Sequence, residues 1–160
     1  MFELSSPRSR GVLLVSGCAM PGWEKKPFPE KIGFSRIIAS CQDFGVREGI
    51  VAAYLELDST TVQAIKKQGL SFFEEATTGR DGDVLQDWMP TPLAREDGGF
   101  RDTYAFLFSK CYGNEVARTE SSQLWEALQE SGAYFTTFNH GEGLLVIDPD
   151  RALAGSFYHG

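Results

Sequence analysis

The sequence predicts an α+β fold in which about three helices pack on a mixed sheet of about five or six strands, with an α/β sandwich as the alternative. Continuous apolar runs, typical of buried strands, alternate along the chain with segments that repeat apolar residues at helical spacing. The 17 glycines often stand beside Asp, Asn or Pro, a pattern that marks tight turns. Because the 160 residues are 42% hydrophobic and 23% charged, we expect one globular domain over residues 1–160.

The first strand is predicted within residues 8–23, which read RSRGVLLVSGCAMPGW. Its apolar part, residues 12–15, is bounded by Gly11 and by Ser16, as in a strand that is covered on both faces. Cys18 then acts as a small hydrophobic residue at the end of this strand.

Two other interpretations of this stretch are weaker. Val15 to Cys18 resembles the cleavage box of bacterial lipoproteins, but the apolar run is shorter than the roughly 7–15 residues of an export signal. The glycines at 17 and 22 have the spacing of a phosphate-binding loop. However, Trp23 and Glu24 occupy the positions where such a loop needs lysine and a hydroxyl residue.

The next third of the chain predicts a helix, a strand, a second helix and a strand. Apolar residues at helical spacing predict a first helix that begins between Pro29 and Ser35 and ends before Gly45: Phe34, Ile37, Ile38, Cys41 and Phe44. Residues 50–57 are apolar on both alternating faces and predict an interior strand. Asp58 caps a second helix that ends at Gly69, and residues 70–75 predict a third strand.

The C-terminal part predicts two more elements and a hairpin. Residues 104–109, YAFLFS, are aromatic enough for a strand, although a helical face is an alternative. A helix over 122–131 would be capped by Ser121 or Ser122. Residues 133–138 and 144–147 predict a hairpin across the turn 139–143, and Asp148 would then cap a last helical turn.

A long loop is predicted at about residues 77–102, where charged residues and glycine dominate. Trp88, Met89 and Pro90 are the apolar exception within it. These side chains either plug the side of the core or form a contact for a partner subunit or a ligand.

Charge and cysteine content restrict the partners that we expect. The net charge of −7 argues against binding to nucleic acid, and no apolar stretch is long enough to span a membrane. The three cysteines, Cys18, Cys41 and Cys111, are odd in number and include no CxxC pair. They predict neither a disulfide framework nor a zinc site, which is consistent with a reducing cytoplasm.

Catalytic chemistry has few candidate residues. His140 stands in a glycine-flanked turn beside Glu142, whose carboxylate would orient the imidazole ring, and Cys18 is the candidate nucleophile. The sequence contains no GxSxG elbow, HExxH helix, dinucleotide loop or EF-hand pattern. We therefore predict neither a metal site nor a cofactor.

The leading functional hypothesis is a non-enzymatic binding or interaction module that acts as a homodimer and uses Trp88, Met89 and Pro90 to contact a protein or a small molecule. The first alternative is an acidic inhibitor or immunity-type protein that neutralises a basic partner. The second alternative is a small hydrolase or transferase that uses His140 with Glu142 or Cys18.

Overall fold

The computed structural model describes residues 22–44, 49–93, 104–109 and 114–160. The predicted first strand with Cys18, the C-terminal part of the long loop, and Cys111 lie outside these residues.

Six strands form one sheet in the order β1-β2-β6-β5-β4-β3. They are β1 (Phe34–Phe44), β2 (Gly49–Leu57), β3 (Met89–Pro90), β4 (Tyr134–Phe138), β5 (Gly143–Asp148) and β6 (Leu153–His159). Every pairing between these strands is antiparallel, whereas the sequence predicts a mixed sheet, with both parallel and antiparallel pairs. The described helices are α1 (Ser59–Gln68), α2 (residues 104–108) and α3 (Glu115–Ala127). The α+β class is therefore confirmed.

Both faces of the sheet are buried. On one face, Leu144 and Val146 of β5 pack into a cluster with residues of α2 and α3, here called the α3-side cluster. On the other face, Leu145 and Ile147 pack into a cluster that includes Ile65 of α1, here called the α1-side cluster. Successive residues of a strand point to opposite faces, so an interior strand that is covered on both sides needs an unbroken apolar run. The predicted interior strand, now β2, is confirmed on this ground.

The predicted first helix is wrong, because residues 34–44 form the edge strand β1. The register against β2 shifts between Phe34 and Arg36 and again between Ile37 and Ala39. A bulge inserts an extra residue and interrupts the alternation of faces. Consequently Ile38 and Ala39 both pack against the α3-side cluster, and the apolar pattern along β1 imitates helical spacing.

Helix α1 is confirmed together with both of its predicted ends. The Asp58 carboxylate accepts a hydrogen bond from the backbone N–H of Thr61 at 2.7 Å, which caps the first turn. Gly69, with φ of 59°, donates its N–H to the Ile65 carbonyl and ends the helix. The strand predicted after it is wrong: Gly69–Phe73 is a 3₁₀ helix that buries the adjacent Phe72 and Phe73.

The predicted strand at 104–109 is also wrong, because residues 104–108 are helical and bury Tyr104, Leu107 and Phe108 on one face. Helix α3 begins earlier than predicted. The Asn114 side chain, instead of Ser121 or Ser122, caps it by accepting the backbone N–H groups of Val116 and Ala117.

The predicted β4–β5 hairpin is confirmed, with a short 3₁₀ helix, Asn139–Gly141, in its turn. The last predicted helical turn is wrong, because the chain enters β6 at Leu153. Asp148 still performs a capping role, since its carboxylate accepts the N–H of Asp150 at 3.1 Å in the turn between β5 and β6.

One arginine holds the segment that precedes β1. The Arg80 guanidinium donates to the carbonyl oxygens of Lys25 and Phe28 at 3.2 and 3.1 Å, and to that of Ile32 at 2.7 Å. Its Nε lies 3.5 Å from the Glu30 carboxylate. These contacts fix the segment over the α1-side cluster, where Phe28 and Ile32 are fully buried.

Cys41 is disulfide-bonded, whereas the number and spacing of the cysteines did not predict a disulfide framework. The residue lies on β1 against the α3-side cluster. We expect reduction to lower the free energy of unfolding by about 2–4 kcal/mol, because the cross-link restricts the unfolded chain. Urea unfolding with and without a phosphine reductant measures this change, and a Cys41→Ser variant should not respond to the reductant. Recovery of all three thiols from the unreduced, unfolded protein would contradict the disulfide.

Candidate functional site

The candidate site is a surface groove of about 330 Å³ between the 3₁₀ helix Gly69–Phe73 and the chain that leads into β3. Its lining combines apolar, neutral polar and acidic residues. They are Leu70, Phe73 and Trp88; Ser71, Thr77 and Gln86; and Glu74 and Asp87.

The aromatic wall of this groove is held in place from two sides. The Trp88 indole N–H donates to the Ala76 carbonyl at 2.8 Å, and its ring stacks on Phe73 with a centroid distance of 4.4 Å. Only 8% of Trp88 is exposed, so most of this side chain fills the side of the core, as one of the two interpretations of the sequence predicts. Trp88 also lines the groove, and its role as a contact for a partner subunit or a ligand stays a prediction.

The wall formed by residues 86–90 is tied to β4. The backbone N–H of Gln86 donates to Thr137, and the Thr136 hydroxyl donates to the Gln86 carbonyl at 2.7 Å. Met89 and Pro90 pair with Phe135 and Tyr134 as the short edge strand β3. The groove therefore has a rigid backbone on this side, although it belongs to a region that was predicted as a loop.

The rim of the groove is acidic. Glu74 lies just after the 3₁₀ helix, and Asp87 lies on the opposite wall. Both residues are exposed, and within the described parts of the chain neither forms an ion pair with a basic side chain. The lining contains no lysine, arginine or histidine, so the carboxylate charges are not compensated within the groove.

The three predicted ligand-contact residues lie in different environments. Trp88 is buried, whereas Met89 is 53% exposed and Pro90 is exposed beside it on the edge strand. Of the three residues, Trp88 lines the groove, whereas Met89 and Pro90 are not among its lining residues.

The predicted catalytic residues lie on the β4–β5 turn, away from the groove lining. His140 is exposed and adopts a left-handed backbone conformation with φ of 57°. The Glu142 carboxylate accepts a hydrogen bond from the Asn139 amide at 2.7 Å and lies 3.5 Å from the Tyr158 hydroxyl. Within the described residues, no hydrogen bond or ion pair joins His140 to Glu142. Cys18 lies outside the described residues.

A buried tyrosine supports the same turn. The Tyr104 hydroxyl donates to the Gly141 carbonyl at 2.6 Å. Burial raises the pKa of Tyr104 to about 12, so the phenol keeps its proton and its role as a donor at alkaline pH values at which an ordinary tyrosine ionises. This hydrogen bond connects α2 to the β4–β5 hairpin, so we assign Tyr104 a structural role.

A smaller cavity of about 170 Å³ lies between α2 and α3. The Ser121 hydroxyl on its wall donates to the Phe108 carbonyl at 2.7 Å, so its proton already has a hydrogen-bond acceptor within the protein. Across the described residues, no group of three or more His, Cys, Asp or Glu side chains has the arrangement of a metal site. No helix in the same residues is long and apolar enough to cross a bilayer.

Sequence reasoning missed most of the groove lining. The sequence predicts a strand over residues 70–75, which include Leu70, Phe73 and Glu74. It places Gln86 and Asp87 in a polar loop, where neither residue stands out. The adjacent phenylalanines at 72 and 73 are the one available signal, because two neighbouring apolar residues do not fit a strand with one exposed face.

Comparison with protein-family models, with curated proteins and with solved structures finds no match for this chain.

Proposed function

We propose that this chain is a non-enzymatic binding protein and that its ligand lies in the groove beside Trp88. The observation that carries this proposal is the stacked pair of Phe73 and Trp88, two rings that line the groove and are held in fixed positions. Aromatic side chains in well-packed positions contribute a large share of binding energy in protein recognition.

The rigidity of the walls favours binding. Binding costs free energy for every side chain that becomes ordered, and an indole that is already hydrogen-bonded to Ala76 loses little freedom on contact with a ligand. The volume of about 330 Å³ falls at the lower end of the range for ligand sites, so the groove fits a small group or a single side chain.

The enzymatic hypothesis gains no support from the described residues. The proposed acid–base partners, His140 and Glu142, share a turn, but Glu142 bonds to Asn139 and not to the imidazole ring. The hypothesis of a hydrolase or transferase that uses Cys18 stays a prediction.

The predicted homodimer and the predicted cytoplasmic location also stay predictions. Exposed Met89 on the edge strand is the residue through which a second copy would bind under the sequence hypothesis. The disulfide at Cys41 argues against the cytoplasm, because disulfides persist mainly in oxidising compartments.

Filling the groove should abolish binding without unfolding the protein. We expect Thr77→Trp to do so, because Thr77 is exposed, lines the groove, and contributes its backbone carbonyl, not its side chain, to the bond with the Leu85 N–H. The measurement is an amide and indole NMR titration with neutral aromatic probes, benzyl alcohol and indole, followed at the Trp88 indole N–H.

The matched control is Thr60→Trp, at the exposed start of α1 and outside the groove lining. In Thr60→Trp, the probes should shift the Trp88 indole N–H signal as much as they do in the natural chain. Probes that shift no groove residue, or that bind Thr77→Trp as well as the natural chain, would show that the groove is not the binding site.

A further inference from the structure

We infer that the groove beside Trp88 binds the side chain of a lysine or arginine presented by a basic protein partner. This inference rests on the proposed function and adds to it the chemical class of the ligand. Three features of the described residues carry it: the uncompensated carboxylates, the aromatic wall and the open shape.

The carboxylates come from both walls of the groove. Glu74 and Asp87 are exposed, and the lining holds no basic residue that would neutralise them. A cation that enters between them is attracted by both charges, and the net charge of −7 adds a long-range attraction for a basic partner. An anionic ligand would meet repulsion from the same groups.

The aromatic wall suits the rest of a basic side chain. Lysine and arginine carry apolar stems that pack on hydrophobic surfaces while the charged group stays hydrated, and their cations bind the faces of aromatic rings. The protein already shows this contact elsewhere, since the Lys31 ammonium lies 4.5 Å from the centre of the Phe72 ring. In the groove Phe73 is 2% exposed and Trp88 8%, so a basic side chain would contact the remaining exposed part of Trp88 and the half-exposed side chain of Leu70.

The open shape favours a side chain that belongs to a protein over a free amine. Sites for small molecules enclose most of the ligand surface, whereas this groove is open to solvent. Leu70 on its wall is 42% exposed, and Met89, next to Trp88 in the chain, is 53% exposed. A macromolecular partner would cover these apolar side chains, which a small amine would leave in water.

The test uses acetylated five-residue glycine–serine peptides that differ only at the central position, which is lysine, arginine, norleucine or glutamate. Binding is followed by NMR at the Trp88 indole N–H, with n-butylamine as a free amine for comparison. We expect the lysine and arginine peptides to bind about tenfold or more tightly than the norleucine peptide, which has the same stem without the charge. Raising the salt from about 20 mM to about 300 mM should weaken only the cationic peptides.

A pair of double variants separates groove charge from overall charge. Glu74→Gln with Asp87→Asn should remove the preference for lysine over norleucine. Glu75→Gln with Asp43→Asn changes the net charge equally at two exposed positions outside the groove lining, and this variant should keep the preference.

The outcomes distinguish this inference from the proposed function. Equal binding of the norleucine and lysine peptides, or shifts with neutral probes but with no peptide, would overturn the inference and leave the groove as a binding site. If butylamine binds as tightly as the lysine peptide, the ligand is a free amine and not the side chain of a protein partner, and the inference is wrong. If neither peptides nor neutral probes shift the groove residues, both proposals are wrong.

Discussion

Replacing Arg80 by alanine should lower the free energy of unfolding by about 3 kcal/mol, because hydrogen bonds to charged groups contribute roughly 1.5–3 kcal/mol each and partly buried acceptors lose their donor. The guanidinium donates to the carbonyls of Lys25, Phe28 and Ile32, and the Arg80 side chain is only 20% exposed. Without it, the carbonyl oxygens of the segment before β1 lose their side-chain donor, while Phe28 and Ile32 stay buried in the α1-side cluster. Urea unfolding followed by tryptophan fluorescence measures the change.

Arg80→Lys tests whether charge alone is sufficient. Lysine keeps the charge but has no planar fork of donors, so we expect it to recover less than half of the lost stability. The matched control is Arg118→Ala on α3, because the exposed Arg118–Glu115 pair should contribute less than about 1 kcal/mol. Equal effects at positions 80 and 118 would refute the role assigned to Arg80.

Gly155→Ala should destabilise the protein by about 3 kcal/mol, since overpacking of a well-packed core typically costs roughly 1–3 kcal/mol and occasionally more. A Cβ at this position would collide with Leu124 Cδ1 of α3 and would lie 2.8 Å from Cε2 of Phe157. Leu124 and Phe157 are both fully buried in the α3-side cluster, so neither has free space into which it can move.

A double-mutant cycle with Leu124→Ala identifies the cause. Leu124→Ala alone should cost about 2–5 kcal/mol because it leaves a cavity. When the two changes are combined, the new methyl group enters that cavity, so the loss should be smaller than the sum of the two single losses. Thermal and urea unfolding of the four proteins give the coupling energy, and strict additivity would show that Leu124 is not the obstacle.

Local signals predicted the elements whose residues agree with their tertiary surroundings. Helix α1 has a capping aspartate at 58 and a terminal glycine at 69, and both perform the expected roles. The run at 50–57 is apolar on both faces because β2 lies between β1 and β6 under two layers of side chains. The β4–β5 hairpin follows from two apolar runs around a turn rich in glycine and asparagine.

The errors have physical causes that one sequence does not reveal. In β1, bulges shift Ile38 and Ala39 to the same face and produce a helix-like spacing. In α2, the aromatic residues favour a strand intrinsically, but packing of Tyr104, Leu107 and Phe108 on the sheet favours a helix. The start of α3 was missed because Ala117 is the one buried residue between Glu115 and Glu120.

The candidate site could be located only in part. The sequence singles out Trp88 as an apolar residue in the middle of a charged loop, and in the structure its ring stacks on Phe73 and its N–H donates to the Ala76 carbonyl. Glu74 and Asp87 are thirteen positions apart in the sequence, and both line the groove between the 3₁₀ helix Gly69–Phe73 and residues 86–88. No local pattern in the sequence predicts that Glu74 and Asp87 line the same groove.

The register shifts in β1 also affect how this protein behaves at high concentration. Among the described strands β1 lies at one end of the sheet, and an end strand has backbone groups that a second chain could pair with, the usual first step of sheet growth towards fibrils. Its two irregular positions interrupt the row of groups, and Arg36 and Asp43 add exposed charges to it. An incoming strand would find no continuous ladder along β1, so this edge resists aggregation.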